Sequence, residues 1–140
     1  MPAVVLDSEA VVALADRARG ISRRRAMHVL AAAARLELPV RVPSAVLAEV
    51  YRGTRADAGI DRVLDGRGVR VVTTGRRMAR TAGGLRHRDR LDSCHVVDCL
   101  VVATSVGLGG GLIATADPLD IRRLARSYPN VEVLSIDSPV

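Results

Sequence analysis

The chain contains no lysine, no phenylalanine and no tryptophan, and it has only two tyrosines, Tyr51 and Tyr128, and two cysteines, Cys94 and Cys99. Without large aromatics the core has to be built from Val, Leu, Ile and Ala, and stacking on nucleobases is restricted to the two tyrosines. The cysteines lie five residues apart in one predicted helix, which turns their side chains about 140° from each other and argues against an internal disulfide. Two free thiols in a reducing compartment are expected. Long apolar runs are missing as well: none approaches membrane-spanning length, and Asp7 follows Met1 too soon for the apolar segment of a signal peptide. These absences predict a soluble, cytoplasmic protein with no membrane partner.

With lysine absent, arginine is the only strong base, and 21 arginines against 15 carboxylates give a formal net charge of +6. Such a balance favours a polyanion or an acidic protein as partner. The preference for Arg over Lys, together with abundant Ala, Val and Gly, also fits a GC-rich genome, so the missing lysine itself carries little weight. At 140 residues, folding buries roughly two thirds of the unfolded chain's surface, and one compact domain is expected.

Short β-branched runs alternate with longer helical patterns, which points to an α/β protein with parallel strands joined by crossover helices. Strands are predicted near 3–6, 40–42, 69–73, 112–116 and 131–135. Helices are predicted from Ser8, from Ser22 to Leu38 ahead of Pro39, and from Ser44 after Pro43, each serine being a candidate N-cap. Further helices are expected near 57–65, 75–85, 93–107 and 118–127. In the second helix Ala26, Val29, Leu30, Ala33 and Leu36 form one stripe for the sheet. Residues His87 to Asp92 read as an exposed connection, and Asp65-Gly66-Arg67-Gly68 as a turn.

Against this background four acids stand out, because each follows or interrupts an apolar run: Asp7 after Ala3-Val4-Val5-Leu6, Glu49 within Val46-Leu47-Ala48-Glu49-Val50, Asp98 between Val97 and Cys99, and Asp117 after Leu112-Ile113-Ala114-Thr115-Ala116. A carboxylate in an apolar setting is costly unless paired, hydrogen-bonded, protonated or metal-bound. Ligands of open parallel sheets bind at the carboxyl ends of strands, where Asp7 and Asp117 fall. Glu49, about a turn into the helix after strand two, and Asp98, in the helix that feeds strand four, are expected to face the same crevice. An all-carboxylate set suits hard Mg²⁺ or Mn²⁺ better than Zn²⁺.

Each acid also has a bland role. Asp7 suits an N-cap, Asp117 before Pro118 suits the first turn of a helix, and Glu49, with Arg52 and Arg55 nearby, suits an exposed helix surface. Asp98 is the hardest to explain structurally. Asp120, one turn beyond Asp117, is either a fifth ligand or an acid favoured near a helix N-terminus. Cys94, His95 and Cys99 do not share one helix face and have no second Cys/His pair, so zinc is disfavoured. The run Gly107-Leu108-Gly109-Gly110-Gly111-Leu112 precedes a strand instead of following one, and reads as a helix end and turn rather than a nucleotide loop.

Taken together, these segments resemble the PIN-domain ribonucleases, particularly the VapC toxins of bacterial VapBC toxin–antitoxin pairs. The resemblance runs nearly end to end and rests on Val4-Val5-Leu6-Asp7-Ser8, on Val42 to Val50, on Val97-Asp98-Cys99-Leu100-Val101-Val102-Ala103-Thr104 and on Ile113-Ala114-Thr115-Ala116-Asp117-Pro118-Leu119-Asp120-Ile121. It implies a single PIN domain over residues 1–140, a three-layer α/β/α sandwich around a mainly parallel sheet of four to five strands. It further implies that Asp7, Glu49, Asp98 and Asp117 form the catalytic Mg²⁺ or Mn²⁺ site, with Asp120 a possible contributor and Ser8 and Thr115 ordering carboxylates or water.

By the same resemblance the substrate is RNA, the partner is a small antitoxin, and the protein is a homodimer. The arginines at 76, 77 and 80, at 86, 88 and 90, or at 122, 123 and 126 are then candidates to contact RNA, although such runs are more often solvated helix faces. Cys99 departs from the small Ala often found beside this Asp. The competing readings are a non-catalytic PIN-like RNA- or protein-binding module, an aspartate-nucleophile phosphatase and a receiver domain. Glu9 in place of a second Asp, and the lack of any Lys, argue against the last two.

Overall fold

Ala3-Val4-Val5-Leu6 is buried at all four positions, the pattern of a strand covered on both faces. A computed structural model describes residues 2–137 and places this run, β1 (Ala3–Leu6), at the centre of a five-stranded sheet. The other strands are β2 (Val40–Pro43), β3 (Val69–Val72), β4 (Gly111–Thr115) and β5 (Val131–Ser135). All pairings are parallel, in the order β3-β2-β1-β4-β5, with Val4 opposite Val40 and Leu112. The strands fall within about a residue of the positions read from sequence, because runs of Val and Ile fit a pleated, two-sided buried surface.

Seven helices supply the outer layers: α1 (Ser8–Ala15), α2 (Ile21–Arg35), α3 (Ser44–Val50), α4 (Asp57–Leu64), α5 (Arg76–Arg88), α6 (Val96–Gly107) and α7 (Pro118–Ala125). The result is the expected three-layer α/β/α sandwich. α6 packs on β1, β2 and β4 and is buried from Cys99 to Ser105, while α1 packs on β1, β4, α2, α3 and α4. α3 touches both α1 and α6. That position carries Glu49 toward the ends of the helices bearing Asp7 and Asp98.

Several local expectations change. α2 stops at Arg35 and not at Leu38, because Glu37 takes a left-handed conformation, φ 54°, and Pro39 disfavours helix in the residue before it. Leu36, lying past the helix end, leaves the predicted stripe and is 68% exposed. None of the three serines is an N-cap. Asp7, Gly20 and Pro43 hold those places, and the Ser44 hydroxyl instead accepts from the Thr74 backbone N–H at 3.0 Å, tying the end of β2 to the segment after β3.

The glycine run closes α6 and enters β4 as a turn. Gly111, at φ 123°, lies so close to β1 that a Cβ there would stand 2.1 Å from the Ala3 carbonyl oxygen. The connection from His87 to Asp92 is not an exposed loop throughout: α5 extends to Arg88, and Asp89 is buried. Among the described residues no helix is long and apolar enough to cross a membrane.

Candidate metal centre

The end of β1 delivers Asp7 to the carboxyl edge of the sheet, where its Oδ1 accepts the Ala10 N–H at 2.9 Å and caps α1. Capping is therefore part of its role. The side chain is 6% exposed, and burial pushes its pKa up to about 6 from 3.8. The negative charges of Asp98 and Glu9 add to the rise, and hydrogen bonds from Thr115 and Ala10 oppose it.

β4 ends nearby in Thr115, fully buried, whose Oγ1 accepts the Asp117 N–H at 2.9 Å. One hydroxyl thus contacts both strand-end acids, as the hydrogen bond to the Asp7 side chain also requires. Asp117 occupies the N-cap of α7 with Pro118 in the first turn, but its side chain makes no capping bond. Its pKa is raised by burial first, then by its interaction with Asp120 one turn on, with His95 opposing.

Asp98 sits in the first turn of α6, half-buried. Burial raises its pKa most, followed by the charges of Asp117 and Glu49; His95 offsets part of this, and Asp120 adds to it. Glu49, exposed in the last turn of α3, accepts a hydrogen bond from the Ser8 hydroxyl. The five acids named from sequence therefore lie within one electrostatic neighbourhood, in which the charge of Asp98 and those of the other four raise one another's pKa values or stand close by.

None of these five forms an ion pair with an arginine among the described residues. Mutual repulsion is relieved in part by proton uptake, and a divalent cation would relieve it more fully. The donor chemistry, all hard oxygen, fits Mg²⁺ or Mn²⁺. The side chains are spread, however: among the described residues no three Asp, Glu, His or Cys groups stand at spacing ready to hold an ion. Binding would have to draw them together.

Two residues were missed from sequence. Asp89 gathers Arg88 at 3.0 Å and Arg126 at 2.8 Å, with Arg123 at 4.0 Å, and these guanidiniums hold its carboxyl well below the usual carboxylate range. Its neighbours in sequence, Arg88 and Arg90, give it the look of a solvated charge run. His95, considered only as a zinc ligand, offsets part of the negative charge around both Asp98 and Asp117, alongside the Asp120 backbone amide at Asp117. Both cysteines are free, Cys94 exposed and Cys99 buried beside Asp98 in the core.

A concavity lies at the opposite edge of the sheet, where β2 and β3 begin. This groove of about 1010 Å³ runs between α2 and α4, with Leu14, Leu30, Leu38 and Val63 among its apolar lining. Six arginines, Arg17, Arg23, Arg41, Arg62, Arg67 and Arg70, line it against one acid, Glu37. None of the five candidate ligands reaches it.

A parallel α/β sandwich with a carboxylate cluster at the carboxyl edge of its sheet defines the class of protein. The chain belongs to the PIN domain family, whose model matches residues 4–127. Its fold is similar to VapBC2 from Rickettsia felis bound to a DNA fragment from its promoter, with a TM-score of 0.68, 14% identity, and 94% of this chain and 97% of that one covered. It is also similar to a toxin–antitoxin complex from Klebsiella pneumoniae (TM-score 0.63, 16% identity, 96% and 98% covered). VapBC-1 from nontypeable Haemophilus influenzae gives a TM-score of 0.61 at 13% identity, with 96% and 98% covered. No curated protein matches the sequence.

Proposed function

We propose that this protein is a Mg²⁺- or Mn²⁺-dependent endoribonuclease, a single PIN domain over residues 1–140 that serves as the toxin of a type II toxin–antitoxin pair. The observation that carries the reading is the gathering of Asp7, Glu49, Asp98, Asp117 and Asp120 at the carboxyl edge of a PIN fold, with no arginine paired to any of them among the described residues. A fold that surrounds buried Asp89 with arginines but leaves these acids without one has a place for an external cation.

When bound, such an ion orients a phosphodiester, activates a water and offsets charge on the departing oxygen. The chain's own residues prepare the site. Asp98 and Asp117 are its main anionic donors, Asp7 is held by the Ala10 amide and Thr115, and Ser8 fixes Glu49. The RNA approaches across a protein of net charge +6.

On the same reading the protein is a homodimer, and a small antitoxin silences it. Charge complementarity makes the arginine-rimmed groove a fitting seat for an acidic, amphipathic antitoxin segment. Because that groove opens at the far edge of the sheet, the antitoxin needs a second segment to cover the carboxylates.

The test is cleavage of single-stranded RNA by the purified protein with Mn²⁺, alongside EDTA and Asp98→Asn controls. Activity lost in both controls supports the nuclease. Activity that survives Asp98→Asn points to another site or a contaminant, and no activity in the wild type favours the non-catalytic binding module.

A further inference from the structure

His95 closes a 3₁₀ turn (Ser93–His95) and occupies the N-cap of α6, three residues ahead of Asp98, so the two lie along the same side of the first turn. Its backbone is fixed by the His95 N–H donating to the Asp92 carbonyl at 3.1 Å. The imidazole is half-buried and, among the described residues, makes no hydrogen bond and no ion pair. It nevertheless lies close enough to Asp98 and Asp117 to act on both. Of the 21 arginines in the chain, none pairs with the five site acids among the described residues. The other two histidines, His28 and His87, are exposed on α2 and α5.

A cluster of carboxylates repels a phosphodiester, and beside a bound cation a hydrogen-bond donor among them eases that repulsion further. His95 can be that donor, since the Ser8 and Thr115 hydroxyls are already engaged by Glu49 and Asp7. Its position just ahead of α6 adds the positive end of that helix, where anions are favoured. Half-buried and engaged by no protein group among the described residues, the ring N–H is open to a substrate oxygen.

We propose that His95 is a substrate-contacting residue of the carboxylate site, its imidazole N–H donating a hydrogen bond to a non-bridging oxygen of the RNA phosphate held beside Asp98 and Asp117. The inference rests on the ribonuclease reading for its substrate. It goes beyond that reading in assigning the contact.

The experiment separates the two. Affinity for a short fluorescein-labelled oligoribonucleotide is measured by anisotropy with all five acids intact and Ca²⁺ in place of Mn²⁺, so that binding is read without turnover. His95→Ala should weaken binding about tenfold, the size of one charge-assisted hydrogen bond, while His95→Gln, which keeps a donor, should stay within about threefold of its parent. In the otherwise wild-type protein, His95→Ala should lower kcat/KM for RNA cleavage by about tenfold or more, with rescue by His95→Gln and an unchanged melting temperature. Unaltered RNA affinity in His95→Ala overturns the contact, as does a loss of affinity that tracks a fall in melting temperature and is not rescued by Gln. A wild type that binds RNA but never cuts it sinks the nuclease reading instead, and the binding arm still decides the contact.

Discussion

Asp89 and Asp7 are buried to a similar degree, 9% and 6% exposed, yet their surroundings are opposite. Asp89 is enclosed by Arg88 and Arg126, with Arg123 at the margin, and its ionised form is strongly favoured. Asp7 meets a backbone amide, a threonine hydroxyl and the negative charges of Asp98 and Glu9, and its ionised form is disfavoured. Buried acids in a chain this rich in arginine can be neutralised by the fold itself. Where one is not, and its neighbours are acids too, the missing charge has to come from solution. Asp89 is neutralised within the fold; Asp7 and its neighbours are the acids proposed to hold the ion.

Removing each acid should show the difference. Asp89→Ala deletes the shared acceptor of two guanidiniums and should cost about 2–4 kcal/mol, seen as a melting temperature lower by roughly 10 °C in thermal denaturation. Asp7→Asn should do the reverse in the metal-free protein at pH 7. A rise from 3.8 to about 6 corresponds to about 3 kcal/mol of disfavoured ionisation, part of which the neutral amide recovers while still accepting the cap bond. A net gain of about 1–2 kcal/mol is expected after the weaker cap is allowed for. Asp7→Asn less stable than wild type would erase the contrast.

The pH dependence should split the same way. Asp7 has a folded pKa above its unfolded value, so the folded state takes up a proton first; its contribution is most favourable below about pH 4 and is lost as pH rises through about 6. Asp89 has a depressed folded pKa, so its contribution is present above the unfolded value near 4 and disappears as pH falls. In metal-free protein, Asp7→Asn should flatten the decline between about pH 4 and 6, and Asp89→Ala should flatten the loss below it. Chemical denaturation across that range is the measurement. The smallest effect should come from reversing charge at the groove: Arg62→Glu with Arg67→Glu should alter stability by less than about 0.5 kcal/mol and reduce affinity only for an acidic partner segment.

The sheet was largely legible because its signal is local: Val and Ile runs and the glycine turn at 107–111 mark strands and a helix end within a few residues of themselves. The candidate site was partly legible. The rule that ligands gather at strand carboxyl ends united Asp7 and Asp117, and the apolar company of Asp98 marked it. Asp89 was invisible because its burial depends on Arg126, 37 residues away in sequence. The end of α2 was misplaced because a left-handed Glu37 has no residue-type signature of the kind glycine provides. His95 was weighed only as a zinc ligand, because its closeness to Asp117 arises from the fold and not from the sequence around it.

On the proposed reading the acids at the carboxyl edge are short of positive charge and take it from a divalent cation. Calorimetric titration of Mn²⁺ at pH 7 into wild type, Asp98→Asn and Asp89→Asn tests it directly. Binding is expected in wild type and in Asp89→Asn once its fold is verified, weakening as pH falls through about 6, and it should be lost in Asp98→Asn. A wild type that binds no Mn²⁺ at millimolar concentration, or an Asp98→Asn protein that binds it equally well, would contradict it.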